Sequence, residues 1–153
     1  MSKCCFAASM GGHLEEIACL KEIANASEES FLLTEKGGFQ EINFCNRTRH
    51  VMQINRKELL FPIKFVLLFI QSLIILMQER PDVIISTGAL ATFPICFLGK
   101  LLGNKVIYIE SFARVDEPSL TGKLMYHVAD LFIVQWKEMM KFYPKAVYGG
   151  GIF

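Results

Sequence analysis

Short apolar runs alternate with longer amphipathic or apolar segments along the whole chain. The runs predict buried strands at 3–8, 30–34, 50–54, 82–86, 105–110, 131–134 and 146–148. Between them the spacing of apolar residues predicts helices at 13–25, 58–79, 91–102, 119–129 and 136–142. Strands that alternate with helices are typical of a parallel, doubly wound sheet with right-handed crossovers. We therefore expect an α/β, Rossmann-like fold that forms one domain over residues 1–153.

Two of the predicted strands end in turns suited to an anion, Ser9-Met10-Gly11-Gly12-His13 and Ser86-Thr87-Gly88. The carboxyl edge of an open α/β sheet is where such folds bind ligands. Glycines there let backbone N–H groups approach a phosphate, and the helix N-terminus that follows favours negative charge. The pattern therefore predicts a diphosphate site. A nicotinamide site is disfavoured because the third glycine of G-x-G-x-x-G is missing, although Glu35 follows the second strand.

Composition and charge narrow the class of protein. Sixteen basic and fifteen acidic side chains leave a net charge of +1, which gives no electrostatic reason to expect nucleic acid as a partner. The five cysteines lie mostly in apolar runs without a C-x-x-C pair, as expected of buried thiols in a reducing cytosol. The N-terminus lacks the long apolar region of a secretory signal. We expect the protein on the cytoplasmic side of the membrane.

The segment from Glu58 to Arg80 is apolar almost all round, in a chain that is 52% hydrophobic and holds thirteen phenylalanines. As a helix its apolar part would span on the order of 28 Å. We reject a membrane-spanning helix because Pro62, Lys64 and the pair at 71–72 interrupt it, and because crossing would separate the neighbouring strands. Two interpretations remain open: a core helix, or one whose outer face also enters the lipid surface with help from nearby basic residues. The expected membrane contacts are Phe61, Lys64, Phe65 and Leu68, and the basic residues are Arg56, Lys57 and Lys64.

A set of motifs in a fixed order resembles one family. The motifs are Ser9-x-Gly11-Gly12-His13, the run Pro81-Asp82-Val83-Ile84-Ile85-Ser86-Thr87-Gly88, the strand Val106-Ile107-Tyr108-Ile109-Glu110-Ser111 with Arg114, and Pro118-Ser119-Leu120-Thr121-Gly122-Lys123 followed by Ala129-Asp130. They look like the amino-terminal half of MurG-type glycosyltransferases, a GT-B fold. The resemblance is closest to the stand-alone version of that half, the PssD family of bacterial polysaccharide synthesis. That family is similar to asparagine-linked glycosylation protein fourteen of the dolichol pathway.

The resemblance implies a division of labour between two chains. This chain would supply the acceptor-binding half and sit peripherally on the cytoplasmic face of the cell membrane. A PssE-like partner would supply most of the UDP-sugar site, and the acceptor would be a polyprenyl-diphosphate-linked sugar. In a single-chain relative the polypeptide would continue beyond Gly149-Gly150-Gly151 into a second domain, whereas this sequence stops at Phe153. The product would be a capsular polysaccharide, an exopolysaccharide or a lipid-linked oligosaccharide, made without a cofactor or an obligatory metal.

Several residues are candidates for binding and catalysis. The expected acceptor and phosphate contacts are Ser9, Gly11, Gly12, Thr87, Gly88 and Arg114. His13 could accept the proton of the attacking hydroxyl, or it could be a helix-terminal residue that only bonds the loop. Glu110 could orient that hydroxyl, or it could pair with Arg114 to fix the following loop. Inversion at the sugar carbon would follow from attack opposite the UDP leaving group.

The stretch from 136 to 143 carries large apolar side chains near the chain end, which core packing explains only in part. Aromatic and methionine side chains are enriched at protein interfaces. The expected partner contacts are Trp136, Met140, Tyr143, Gly149 and Gly150. Two rival functions stay open: a non-catalytic membrane adaptor that activates a separate transferase, and a small enzyme that acts alone on a nucleotide-linked substrate. Galactose, N-acetylglucosamine and glucuronic acid all remain possible as the transferred sugar.

Overall fold

All the strands form one parallel sheet. The computed structural model describes residues 2–38 and 42–153. The seven strands of this sheet have the order β3-β2-β1-β4-β5-β6-β7, and every neighbouring pair is parallel. The strands are β1 (Lys3–Ala8), β2 (Glu29–Glu35), β3 (Arg47–Val51), β4 (Val83–Gly88), β5 (Lys105–Ile109), β6 (Leu131–Val134) and β7 (Val147–Tyr148). The helices are α1 (Gly12–Ala18), α2 (Lys21–Ala26), α3 (Phe61–Glu79), α4 (Phe93–Leu101) and α5 (Leu120–Met125), with 3₁₀ turns at Leu90–Thr92 and Lys137–Lys141.

Helices cover the sheet on both faces, which confirms the predicted doubly wound fold. Alternate residues of a strand point to opposite faces, and β1 shows both cores. Cys5 and Ala7 belong to a core built with α3, α4 and α5. Cys4, Phe6 and Ala8 belong to the other core, where helix α1 covers the sheet through Leu14 and Ile17.

Four predicted elements differ from the structure. The strand expected at 50–54 lies at Arg47–Val51, where it pairs with β2. The first four residues of this edge strand are polar, so a search for apolar runs does not detect them. The helix expected at 13–25 is split into α1 and α2 around residue 19. The helix expected at 119–129 ends at Met125, and the one at 136–142 is a 3₁₀ turn.

The apolar helix α3 packs along the sheet through one stripe and exposes the rest of its surface. Of the described helices, α3 alone is long and apolar enough to cross a bilayer by length and composition. Because it connects β3 and β4 of the same sheet and packs against that sheet, it is part of this domain. Its buried stripe is Leu68, Ser72, Ile75, Leu76 and Glu79. Exposed apolar side chains on and just before it are Leu59, Leu60, Ile63, Val66, Leu67, Ile70, Leu73, Ile74 and Met77.

The orientation of α3 about its own axis contradicts one of the expected membrane contacts. Leu68 is completely buried against the sheet and cannot reach a lipid surface. Phe61, Lys64 and Phe65 are half-buried at the margin of the exposed face. The rings of Phe61 and Phe65 stack on each other with their centroids 5.4 Å apart.

An ion-pair network holds the C-terminal end of α3 to the sheet. Glu79 is almost fully buried, and its carboxylate accepts hydrogen bonds from Arg49 Nε at 2.7 Å and Arg47 Nη2 at 2.9 Å. Lys3 Nζ lies 3.6 Å from the same carboxylate. Burial opposes ionisation of Glu79, but Arg49, Arg47 and Lys3 outweigh it and hold the pKa below its ordinary value of 4.5.

The pKa of Glu79 predicts a pH dependence of stability. A carboxyl whose folded-state pKa is depressed stabilises the fold above its unfolded pKa, and this contribution is lost as pH falls through the folded pKa. We therefore expect Glu79→Gln to lower the free energy of unfolding near neutral pH, with the deficit shrinking below pH 4.5. Urea unfolding across a pH series measures it, with Glu28→Gln as an exposed control. A deficit that does not change with pH would contradict the assignment.

The residue that ends α3 gives a second prediction. Arg80 has φ 49° and ψ 58°, a left-handed conformation in which a side chain is strained. We expect Arg80→Gly to raise the free energy of unfolding by about 0.5–1 kcal/mol, because glycine adopts this conformation without that strain. Arg80→Ala removes the same side chain but keeps the strain, so it serves as the matched control in urea denaturation. A glycine variant no more stable than the alanine variant would show that the strain is absent.

Candidate functional site

The two glycine turns lie side by side because β1 and β4 are neighbours in the sheet. Four hydrogen bonds join them. Ser9 N donates to Gly88 O at 2.8 Å, and Ala89 N donates to Ser9 Oγ at 3.2 Å. Thr87 Oγ1 donates to His13 O at 2.7 Å, and His13 Nδ1 lies 2.8 Å from Thr87 O. The turns therefore form one rigid unit at the carboxyl edge of the sheet.

Thr87 and Gly88 support this unit instead of lining the cleft. Both are buried, and Gly88 N donates to Ser86 Oγ at 3.1 Å. Gly88 has φ +100°, and a Cβ there would lie 3.2 Å from His13 Cε1 and 3.3 Å from Tyr108 Oη. The direct phosphate contact expected of these two residues is therefore wrong in this geometry, since their polar groups bond within the turn. Their effect is to position His13.

Gly11 and Gly12 are accessible to a ligand. Both are exposed, and a Cβ at either position would meet no atom within 4 Å. Gly11 has φ +79° and its carbonyl accepts from Leu14 N and Glu15 N at the start of α1. The N–H groups of Gly12 and His13 stand in the first turn of the helix, where no intrahelical acceptor exists. This part of the first turn fits the predicted anion contact.

The hydrogen bond of His13 fixes the tautomer of its ring. A carbonyl oxygen can only accept, so the nitrogen that contacts Thr87 O, Nδ1, carries the proton. The neutral ring then has its lone pair on Nε2, the nitrogen that can accept a proton from a substrate. His13 is half-buried and borders two adjoining cavities. It therefore has the tautomer and the location of a general base.

The two cavities form one cleft over the turns, which we call the carboxyl-edge cleft. The larger has a volume of about 640 Å³ and the smaller about 260 Å³, and His13, Arg56, Ala89 and Thr121 line both. Arg56, Lys57 and Arg114 border the cleft, and none of the three pairs with a carboxylate in the described part of the chain. The sequence pattern predicts a lipid-surface role alone for Arg56 and Lys57. Both residues lie in the loop between β3 and the start of α3. This position in the sequence could have placed them at the carboxyl edge of the sheet, because the loop begins there.

Glu35 is a cleft residue that the sequence analysis did not assign. It ends β2, is almost fully buried, and lines the larger cavity beside Ser9 and Met10. Burial raises the pKa of its carboxyl, although N–H groups of Ile54 and Met10 and the Ser9 hydroxyl favour the ionised form. Among the described residues that line the carboxyl-edge cleft, Glu35 is the one with an acidic side chain.

Glu110 is buried away from the cleft. Its carboxylate accepts from Ser119 Oγ at 2.8 Å, Tyr143 Oη at 2.9 Å and Ser111 N at 3.2 Å. It is 1% exposed and makes no ion pair with Arg114. Direct catalysis by Glu110 and a Glu110–Arg114 pair were both expected alternatives, and this geometry contradicts both. Glu110 is a positioning residue for the loop that follows β5.

A second buried carboxylate holds the same loop from the other face of the sheet. Glu16 Oε1 accepts from Ser111 Oγ at 3.0 Å and Phe112 N at 3.1 Å, and its Oε2 accepts from Gln135 Nε2 at 3.1 Å. Gln135 Oε1 in turn accepts from Ile152 N at 2.8 Å. No pattern in the sequence indicates a buried Glu16, because a glutamate on a predicted helix is normally exposed. Glu16 and Glu110 together fix the loop that carries Arg114 to the cleft.

The expected partner contacts divide into buried and accessible residues. Tyr143 is 2% exposed and bonds Glu110, so it belongs to the core and its assignment to a surface was wrong. Trp136 is half-buried and its Nε1 donates to Phe112 O at 2.7 Å. Met140 and Gly150 are half-buried and Gly149 is exposed.

Within residues 2–38 and 42–153, no group of three or more His, Cys, Asp and Glu is placed to hold a metal ion.

Solved structures share this fold. MurG of Acinetobacter baumannii superposes with a TM-score of 0.70 at 16% identity, covering 88% of this chain and 41% of that chain. A UDP-N-acetylglucosamine 2-epimerase of Rickettsia bellii gives a TM-score of 0.72 at 13% identity, covering 94% of this chain and 41% of that chain. At these identities the likeness concerns the fold alone.

Sequence relatives point to one family. The chain is 44% identical over 79 residues to the UDP-N-acetylglucosamine transferase subunit ALG14 of Rattus norvegicus, covering 48% of this chain and 37% of that protein. The subunit of the same name from Candida albicans is 42% identical over 88 residues, covering 54% and 40%. The matches thus span about two fifths of these relatives' lengths. The model of the family described as "Oligosaccharide biosynthesis protein Alg14 like" matches residues 11–152. The chain belongs to this Alg14-like family of oligosaccharide biosynthesis proteins.

Proposed function

We propose that the chain is the acceptor-binding subunit of a two-component glycosyltransferase that uses UDP-N-acetylglucosamine. The observation that carries this proposal is the carboxyl-edge cleft, where His13 lies among Arg56, Lys57 and Arg114, near a large exposed apolar face. The relatives are named UDP-N-acetylglucosamine transferase subunits. Their name supports UDP-N-acetylglucosamine as the donor and a role for this chain as one subunit of the enzyme. The product would be a lipid-linked oligosaccharide or, as the PssD resemblance suggests, a capsular polysaccharide or exopolysaccharide.

The acceptor would bind through its diphosphate. Arg56, Lys57 and Arg114 supply positive charge around the cleft, and the N–H groups of Gly12 and His13 supply donors at the start of α1. Charge-assisted hydrogen bonds from arginine to phosphate are stronger than neutral ones. The sugar of a polyprenyl-diphosphate-linked acceptor would then lie next to His13.

His13 would act as the general base. The acceptor hydroxyl attacks the anomeric carbon of the donor sugar, a new carbon–oxygen bond forms, and the bond to the diphosphate of UDP breaks. Nε2 of His13 takes the hydroxyl proton, while the Nδ1–H bond to Thr87 O stabilises the charged ring. Attack opposite the leaving group inverts the anomeric carbon, and the electron pair of the broken bond leaves with UDP.

The exposed face of α3 would lie on the lipid surface. Phe97, Leu101 and Leu102 at and just after α4 extend the apolar surface beyond α3. A contiguous exposed patch of this kind marks an interaction site, since monomeric soluble proteins rarely carry one. Both helices begin at the edge where the cleft lies, so a diphosphate in the cleft and a polyprenyl chain in the membrane are compatible. We infer a peripheral position on the cytoplasmic face.

A separate, PssE-like chain would supply the donor half of the enzyme and close a shared cleft around the UDP-sugar. The relatives' name, UDP-N-acetylglucosamine transferase subunit, supports a second chain in the enzyme. Trp136, Met140, Gly149 and Gly150 remain the proposed contacts with this partner.

The role of His13 predicts a loss of activity in the assembled complex. We expect His13→Asn, which keeps a donor for the turn, and His13→Ala to lower the transfer rate about 10²–10⁴-fold, the usual contribution of a general base. The measurement is transfer from UDP-N-acetylglucosamine to a polyprenyl-diphosphate sugar, with complex formation checked by gel filtration. His127→Ala changes an exposed histidine outside the cleft and serves as control. Full activity in a His13 variant would instead favour the non-catalytic adaptor.

The apolar face gives a prediction about membrane binding. We expect the triple variant Ile63→Gln, Ile70→Gln and Ile74→Gln to bind anionic phospholipid vesicles roughly a hundredfold more weakly, since each exposed isoleucine contributes about 1 kcal/mol. Vesicle co-sedimentation measures it. Ile23→Gln removes an isoleucine of similar exposure from α2, on the other side of the sheet, and should bind normally. Equal loss in both variants would mean that α3 is not the lipid-facing surface.

A further inference from the structure

Gln135 carries a buried amide that joins three parts of the chain. It follows β6 directly and is 3% exposed. Its Nε2 donates to Glu16 Oε2 at 3.1 Å and to Glu110 O at 3.0 Å, while its Oε1 accepts from Ile152 N at 2.8 Å. Both donors of the amide are used, so one side chain holds α1, the end of β5 and residue 152 together.

These bonds fix the orientation of the amide. The carbonyl of Glu110 can only accept a hydrogen bond, and the backbone N–H of Ile152 can only donate one. The amide nitrogen must therefore face Glu110 and the amide oxygen must face Ile152. Turning the amide over would set acceptor against acceptor and donor against donor. Gln135 thus acts as a fixed spacer between the elements that it joins.

One of the joined elements begins at the first glycine turn. Glu16 lies about one helical turn after Gly12 in α1, so its bond to Gln135 ties the start of that helix to the end of β6. The other oxygen of the Glu16 carboxylate accepts from Ser111 Oγ at 3.0 Å and from Phe112 N at 3.1 Å. Glu16 and Gln135 together lock α1 to the first residues of the loop that follows β5.

That loop carries Arg114. Arg114 N donates to Ser111 O at 2.9 Å, which closes a tight turn. Ser111 follows Glu110 directly, and Gln135 holds the carbonyl of Glu110. Arg114 and His13 border the same cavity of about 260 Å³. The backbone position of Arg114 relative to the start of α1 therefore depends on the bonds of Gln135.

We propose that Gln135 is a positioning residue, which sets the separation between the Arg114 side chain and the N–H groups of Gly12 and His13 so that both reach one diphosphate. A diphosphate is a short ligand, and both of its ends can be bound only when the donors stand at a matching separation. Donors held in place before the ligand arrives lower the entropic cost of binding. The choice of diphosphate rests on the proposed function, whereas the hold on the loop does not.

The test combines Gln135→Met with Arg114→Ala in a double-mutant cycle. Methionine has a similar length but makes none of the three hydrogen bonds of the amide. We expect Gln135→Met to weaken binding of inorganic pyrophosphate about tenfold, near the value of one charge-assisted hydrogen bond. The same substitution should have little effect when Arg114 is already alanine, because it acts through that side chain. Isothermal titration calorimetry measures each affinity.

The controls separate positioning from a general loss of stability. Glu79→Gln acts on β3 and the end of α3, so it should lower stability but bind pyrophosphate normally. Circular dichroism shows that each variant is folded at the temperature of the titration. Gln135→Asn keeps the amide and shortens its reach by one methylene group, so it should give a smaller loss that also depends on Arg114. Hydrogen exchange needs no ligand, and the Phe112 amide should exchange faster in Gln135→Met than in Glu79→Gln.

Two results would overturn the proposal. One is an equal loss of pyrophosphate affinity with and without Arg114, which would make the effect of Gln135 general. The other is unchanged exchange at Phe112 in folded Gln135 variants, even if the wild-type chain binds pyrophosphate. A wild-type chain that binds no pyrophosphate would remove the diphosphate site of the proposed function. Faster exchange at Phe112 would in that case still support Gln135 as the residue that holds the loop.

Discussion

The parallel pairing of β1 with β4 is the constraint on which the site depends. It places the ends of two strands, more than seventy residues apart in the chain, at hydrogen-bonding distance, so that Thr87 can bond both the backbone and the ring of His13. The ring is thereby held in one tautomer before any substrate arrives. In the proposed reaction, such preorganisation lowers the activation free energy, because the ring needs no reorientation when the proton is transferred.

Two buried carboxylates extend this rigidity to the loop after β5. Glu16 and Glu110 have no cation partner among the described residues, and both are satisfied by hydroxyl, amide and backbone donors. A buried charge is tolerable only when it is hydrogen-bonded in this way. The donors come from both ends of the loop, so removing either carboxylate would free Arg114 from the cleft. The same Glu16 reaches Ile152 through Gln135, which joins the cleft to the chain's last residues.

The sequence predicted the fold and the turns but not the roles of the buried polar residues. Apolar runs and strand-ending glycines carry periodic or conformational signals, so the order of elements and the position of both turns at the carboxyl edge of the sheet followed from them. Glu16, Glu35 and Glu110 carry no such signal, because nothing in a linear pattern separates a buried glutamate from an exposed one. The sequence also does not indicate which face of α3 packs against the sheet. A helix that is apolar on every side offers no amphipathic stripe to orient it, which is why Leu68 was assigned to the wrong face.

Polar contacts, and not hydrophobicity, select the face that α3 turns to the sheet. Glu79 accepts bonds from Arg47 and Arg49, and Gln71 Oε1 accepts from Met52 N at 3.0 Å. Rotating the helix would break these bonds and leave buried charge unpaired, whereas it would change the buried apolar area little. The helix α3 therefore packs against the sheet in one orientation, although its outer surface is also apolar. The proposed diphosphate cleft and the proposed lipid-facing surface can coexist on one sheet because the ion pairs at Glu79 fix the orientation of α3.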